Sequence, residues 1–320
     1  MKKETVKNKL AKFSDLLENK KAEINIMLVD QKNQRKKPYK GFMLKTKLED
    51  VYETISTSFL FLNEEIDKRT LDVYDLVISI DDSVQMVKKE DVINGAEILD
   101  ELTTNYTEEN VVNKSTDLSK IKFIVIQVYD SEEDSSIYFF KKYAQPSTAY
   151  KTSQKYILSG GLLKQFTDEI ITINSYVDAF LIDEDYYIFN RNAFNAIFNY
   201  KDIFKRILDD NCGMIRKSGL MTDSDQFVAD CEADGRYLTR LTKAILAKGF
   251  EEVTKNKGDI PSVVKEFELS LKTSKNGEIV YRGKDDIPEI LNLLLRHYVI
   301  DALTSNKMIA AAIQEYQAGK

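Results

Sequence analysis

Tryptophan is absent from this 320-residue chain, and histidine occurs once, at His297. Cysteine is nearly as scarce, with Cys212 and Cys231 nineteen positions apart, and there are only four prolines and twelve glycines. Each shortage excludes something. A zinc centre needs several Cys or His ligands close together, and one His with two distant Cys cannot supply them. Any Ser–His or Cys–His mechanism must use His297, which has no nucleophile beside it in sequence, so a structural role is expected for it. Two cysteines do not staple a chain of this size, which predicts reduced thiols and a cytoplasmic protein. Few Pro and Gly argue for helix and strand over irregular loop. No phosphate-cradling GxxxxGK[ST] loop, no GxGxxG turn and no calcium-loop spacing occurs, and Ser159-Gly160-Gly161 reads as a simple turn. The most apolar strand, Ile121 to Tyr129, falls far short of the ~20 residues of a membrane helix. The N-terminal MKKETVKNKLAKFSDLLENKK, interrupted by Glu4 and Asp15, has no run suited to a signal peptide. No metal and no cofactor is expected.

What is present is an ordinary soluble composition, 43% hydrophobic and 31% charged, enough to build a core under a well-solvated surface. The net charge of −6 conceals an uneven map. Residues 1–50 carry +7, residues 51–135 carry −13, and the remaining 185 residues are neutral. Two windows contain no acid. The first, between Asp30 and Glu49, holds Lys32, Arg35, Lys36, Lys37, Lys40, Lys45 and Lys47. The second, between Asp134 and Asp168, holds Lys141, Lys142, Lys151, Lys155 and Lys164 among Tyr138, Phe139, Phe140, Tyr143, Tyr150 and Tyr156. Cations interleaved with rings neutralise phosphates and stack on bases. The same windows also suit a solvated hairpin tip and a strand with a buried aromatic face.

Helical spacing of Val6, Leu10, Phe13, Leu16 and Leu17 predicts a helix over 3–19. AEINIMLVD and YKGFMLK predict a hairpin with a basic loop, and Lys47 to Asn63 a second helix. LDVYDLVISI is ambiguous, and Asp91 to Leu102 is read as helical. The polar Thr103–Lys120 stretch is the candidate boundary, giving an N-terminal α/β region at 1–110 and a second domain at 118–320. IKFIVIQVYD and SSIYFFKKY predict a hairpin across an acidic turn, with further strands at EIITINSY, AFLID and YYIFN. Helix is expected from Arg191 to about Phe267, with a short strand at GEIVYR. IPEILNLLLRHY reads as a helix opening with proline.

The aromatic stretch AFLIDEDYYIFNRNAFNAIFNYKDIF, Ala179 to Phe204, sits among Asp183, Glu184 and Asp185. Its rings fall at strand and helix spacing, so they are expected in a core and not on a base-stacking platform. Asn190 or Asn192 would cap the following helix, and Arg191 would pair with the acidic turn or reach a ligand. Two acidic arrangements leave a nuclease alternative open. Asp30-Gln31-Lys32 ends an apolar strand, and Asp183 with Asp185 forms a pair suited to Mg²⁺.

At YVDAFLIDEDYYIFNRNAFNAIFNY, Tyr176 to Tyr200, the chain resembles the KwaB-like family, the soluble components of the Kiwa anti-phage defence system. IYFFKKY upstream and LLLRHYVIDALTSNKM downstream resemble it in order and spacing, so that the likeness runs from about Ile121 to Met308. The resemblance implies an antiviral, phage-defence protein without an established enzymatic motif. It further implies a cytoplasmic DNA-binding effector, a homodimer, and a complex with a multi-pass membrane partner at the inner face of the membrane. No family binding motif carries over by position, so contact residues come from the charge map. The expectation is an α+β protein with mixed or antiparallel sheets and a helix-rich C-terminal part. It binds DNA without sequence preference through Lys32, Arg35, Lys36, Lys37 and Lys40, with Lys141, Lys142, Lys151 and Lys155 as a second patch. Tyr143 and Tyr150 are the stacking rings, and no residue is assigned to catalysis. The alternatives are a module that docks on a membrane partner without touching DNA, and a metal-dependent nuclease.

Overall fold

The computed structural model describes residues 3–31, 39–76, 82–104, 111–112, 117–143, 155–159, 162–166 and 171–310. The chain forms two compact units, Met1–Val73 with Asp82–Phe198, and Tyr74–Asp81 with Asn199–Lys320. The division expected at 110–118 does not separate compact bodies, because strands from either side of it pair in one sheet.

The first unit contains α1 (Lys3–Glu18), β1 (Glu23–Gln31), β2 (Tyr39–Leu44), α2 (Leu48–Lys68), β3 (Thr70–Val73), β4 (Ser83–Lys88) and α3 (Gly95–Thr104). It continues through β5 (Ile121–Asp130), β6 (Ser135–Lys142), β7 (Lys155–Ser159), β8 (Leu162–Phe166), β9 (Ala179–Ile182), β10 (Asp185–Ile188) and α4 (Arg191–Ile197). Eight strands form one sheet in the order β2-β1-β5-β6-β9-β10-β4-β3, while β7 and β8 make a separate hairpin. Every pair in the large sheet is antiparallel except β3 with β4, so the sheet is mixed, as expected.

Both faces of this sheet are apolar, which is why its central strands read as nearly unbroken hydrophobic runs. On one face, Val6, Leu10, Phe13 and Leu17 of α1 and Ile55, Phe59, Leu62 and Ile66 of α2 meet Ile26, Leu28, Ile124, Ile126, Phe139 and Phe180. The α1 residues recur at three- and four-residue spacing, one stripe of a helix. The other face carries α3 and α4, with Phe140 packed against Tyr186 and Phe198. The Ala179–Phe204 stretch is therefore core: Phe180, Tyr186, Tyr187, Phe194 and Phe198 are fully buried. Asn190 caps α4 by accepting the Ala193 N–H at 3.1 Å. One expectation fails here and one strand went unread: Ile171 to Tyr176 is not a strand but irregular chain that lays Ile171 and Ile173 on the core, and β4 follows the ambiguous LDVYDLVISI segment in a stretch given no reading.

The second unit is mostly helical: α5 (Tyr200–Lys217), α6 (Ser224–Ala233), α7 (Gly235–Leu246), α8 (Gly249–Lys255) and α9 (Ile260–Glu266). It then forms β11 (Lys272–Thr273), β12 (Ile279–Val280), α10 (Ile287–Leu294), β13 (Tyr298–Ile300) and β14 (Lys307–Ile309). Gly249 is required by close packing, since a Cβ there would meet the Leu294 carbonyl oxygen at 2.1 Å. Cys231 is buried in α6 and Cys212 half-buried in α5, both as free thiols. The helix read through LLLRHY stops early. Arg296 takes φ +59°, and the Arg296 and His297 N–H groups donate to the Leu293 and Asn292 carbonyls. That pairing is the Schellman closure of a helix C-terminus, and a β13–β14 hairpin follows in place of helix.

Candidate nucleic-acid interface

Strand register places the charged groups. Gly41, Val29, Phe123 and Lys142 lie in one row across β2, β1, β5 and β6. β1 and β6 run in the same direction, because each is antiparallel to β5 between them. Their C-terminal ends, which lead into the two acid-free windows, therefore leave the same end of the sheet. Two strand spacings separate them, about 10 Å.

Side chains at this end divide. Lys40 lies opposite Asp30 on the edge strand, with its ammonium 4.8 Å from the Phe42 ring centroid. Lys142 and Lys122 are exposed, and among the described residues none of these three lysines forms an ion pair. Lys141 and Tyr143 do not belong to the surface. Along β6 the residues Ile137, Phe139, Lys141 and Tyr143 alternate onto the α1/α2 face, and the last two are 5% and 9% exposed. The Lys141 ammonium donates to the Asn174 carbonyl at 2.6 Å and to Ser58 Oγ at 3.3 Å. Burial pushes its pKa down to about 8, partly countered by Asp178. Neither side chain reaches a phosphate or a base from there. Lys32, Arg35, Lys36, Lys37, Tyr150 and Lys151 lie outside the described residues, and Lys155 begins β7.

The opposite end of the sheet is acidic. The turns after β5 and β9 carry Glu132, Glu133, Asp134, Asp183 and Glu184. Lysines fixed on the fold engage most of them: Lys9 pairs with Asp183, Lys12 with Asp130 and Glu133, Lys21 with Glu132, and Lys89 with Glu184. Asp130 is 2% exposed and accepts the Glu132 and Glu133 N–H groups. Burial alone would push its carboxyl up, but Lys12 and those two N–H groups outweigh it and hold the pKa below the usual value.

Between this end and α3 lies a groove of about 1070 Å³ lined by Glu97, Asp100, Gln127, Tyr129, Asp134, Ser136, Tyr138 and Asp183, with Lys89 the one cation among the described residues that line it. Gln127 ties its floor together, accepting from Asn25 at 3.0 Å and donating to Ser136 Oγ at 2.8 Å. The groove was missed in the sequence. Its signal was the pair Gln127 and Tyr129, polar groups at alternate positions that end an otherwise apolar face of β5.

Of the two arrangements that left a nuclease open, Asp30 is buried at the basic end, and Asp183 with Asp185 lies at the acidic end, engaged by Lys9 and Lys88. Among the described residues no group of three His, Cys, Asp or Glu is placed to hold a metal. No helix there is long and apolar enough to cross a membrane.

Fold and charge together define an α+β protein whose mixed sheet presents, among the described residues, cations without an ion pair at one end and paired carboxylates at the other. The family model of the Kiwa protein KwaB-like family matches residues 118–304, more than half of the chain, and the chain belongs to that family. It is thereby a component of Kiwa anti-phage defence. No curated protein and no solved structure matches it.

Proposed function

We propose that the chain is the DNA-binding effector of its defence system and acts by holding duplex phosphates, without making or breaking bonds. The observation that carries this reading is the register that sends both acid-free windows out of one end of the sheet. Lys32, Arg35, Lys36, Lys37 and Lys40 reach phosphates from the β1–β2 side, and Lys142, Lys151 and Lys155 from the β6 side. Tyr150 remains the candidate stacking ring. Phosphate contacts of this kind carry no sequence information, so binding is non-specific. The protein works as a cytoplasmic homodimer recruited to the inner face of the membrane by a multi-pass partner.

The acidic groove supports a second reading, docking of a basic partner segment such as the cytoplasmic loops of membrane proteins, which are rich in Lys and Arg. The two readings use opposite ends of the sheet and are separable.

Fluorescence anisotropy of a labelled duplex, from low to physiological salt, tests the first. Five phosphate contacts give a slope of log affinity against log salt near −4 to −5, and Lys36→Glu/Lys37→Glu weakens binding on every sequence. Absence of binding by the folded protein at low salt overturns the proposal and leaves the docking role. Conversion of supercoiled plasmid on addition of Mg²⁺ would instead revive the nuclease.

A further inference from the structure

The groove beside α3 has a floor and a wall of different origin. Gln127, Tyr138 and Leu181 lie in one row across β5, β6 and β9, and Tyr129 is paired with Ser136 in a neighbouring row. Paired residues of a sheet point to the same face, so these side chains share the floor. Glu97 and Asp100, three residues apart on α3, belong to the wall. The floor is tied down by hydrogen bonds: Gln127 Nε2 donates to the Tyr138 hydroxyl at 3.2 Å, and the Tyr129 hydroxyl donates to Asp134 at 3.0 Å. Glu97 and Asp134 are exposed, and neither enters an ion pair among the described residues. Tyrosine rings between carboxylates suit guanidinium and ammonium groups, which stack on the one and pair with the other.

The complementary charge is carried by the same chain at the other end of the same sheet. Lys32, Arg35, Lys36 and Lys37 stand in sequence between Gln31 and Tyr39, the paired ends of β1 and β2. Lys40, Lys122 and Lys142 lie on the sheet beside those ends. A chain does not fill its own groove with this segment. Asp30 faces Ile121, whereas the floor begins at Gln127, about 20 Å back along β5. Arg35 is four residues from either strand end, so its backbone extends at most about 14 Å from the sheet. The strands also lead it away from the groove.

We infer that the groove is the docking site for the basic end of a second copy of this chain, resting on the docking reading of the groove and naming its occupant. Self-association and duplex binding then compete for the same lysines. Opposite charges at two ends of one molecule make every copy complementary to every other, and they disfavour like-charged arrangements. The groove takes the place of phosphates at the basic end, and a duplex displaces it.

Sedimentation velocity of the full chain over a dilution series, at low and at physiological salt, reads the association, which should weaken as salt screens it. Lys36→Glu/Lys37→Glu alters the basic end, and Glu97→Lys/Asp134→Asn alters the groove. Each should raise the self-dissociation constant by about tenfold or more. An equimolar mixture of the two variants should recover association, because one copy brings an unaltered basic end and the other an unaltered groove. That recovery also shows that both variants are folded. A saturating duplex should dissociate the wild-type species. Association that survives both variants, that the mixture fails to recover, or that persists with duplex bound overturns the inference. A synthetic peptide of residues 31–40 distinguishes this failure from failure of the docking reading. If the peptide binds the wild-type chain and not Glu97→Lys/Asp134→Asn, while the chain itself does not associate, the groove serves a different basic partner and the inference falls alone. If the peptide does not bind, both fall.

Discussion

The two ends of the eight-stranded sheet are made by the same backbone and serve opposite purposes. At the acidic end, carboxylates of the β5–β6 and β9–β10 turns are engaged by Lys9 and Lys12 of α1, by Lys21 just after it and by Lys89. At the other end, Lys40, Lys122 and Lys142 stand on the sheet with no ion pair among the described residues. Charge that finds a partner inside the fold orders the fold, and charge left without one is available to a ligand. The chain's net −6 therefore says little about what it binds, because the charge is unevenly placed and the acidic turns of the sheet are largely engaged within the fold.

Four variants break or sharpen that contrast. The largest expected effect concerns Lys141, one residue from Lys142 but turned inward. Its folded pKa of about 8 lies below the ordinary lysine value of 10.5, so the unfolded chain binds more protons between those values and stability rises with pH across that window. The rise is at most about 3 kcal/mol. Urea midpoints from pH 7 to 10.5 should show it in the wild type and not in Lys141→Met, while DNA affinity is the same in both. A slope that persists in the variant would assign it elsewhere.

Next comes the direct comparison of the ends. Lys36→Glu/Lys37→Glu should lower duplex affinity by about 10²-fold near 0.1 M salt and make the salt slope shallower by about two. Neutralising the far end, Glu132→Gln/Glu133→Gln, should change affinity by less than about twofold. The sheet between them is about 30 Å long, several Debye lengths at physiological salt. Equal effects from both pairs would dissolve the contrast.

The smallest effect is expected at Asp130. Because its carboxyl is held below its ordinary value, its contribution is present above that ordinary value and lost as pH falls through the folded one. Asp130→Asn should lower the melting temperature at pH 7 more than at pH 3 and leave DNA affinity unchanged. An equal loss at both pH values would mean that the charge is irrelevant there.

Much of this architecture was legible in the sequence. The α1 stripe, the β1–β2 and β5–β6 hairpins and the buried rings of Ala179–Phe204 follow from spacing alone, because burial on one or two faces leaves a periodic trace. β4 was obscured, since SVQMVK places Ser83 and Gln85 in the interior and breaks the apolar run. The end of α10 was missed because its stop signal is Arg296 in a left-handed conformation, a role usually marked by Gly or Asn. For the site, the acid-free windows were visible, but not their common end, which depends on which strands pair. Lys141 and Tyr143 were misplaced for a related reason. Composition treats neighbouring residues alike, whereas a strand sends them to opposite faces.

Both thiols of the chain belong to the second unit, and the first has none. Cys231 is shut inside α6, and burial, the largest influence on it, raises its pKa to about 12. A thiol-specific reagent at neutral pH meets almost no thiolate there until the surrounding helices part. The rate at which Cys231 is labelled thus times the opening of the helical unit alone, leaving the sheet-bearing unit silent. A ligand that slows this clock has engaged the second unit, wherever else on the protein it also binds.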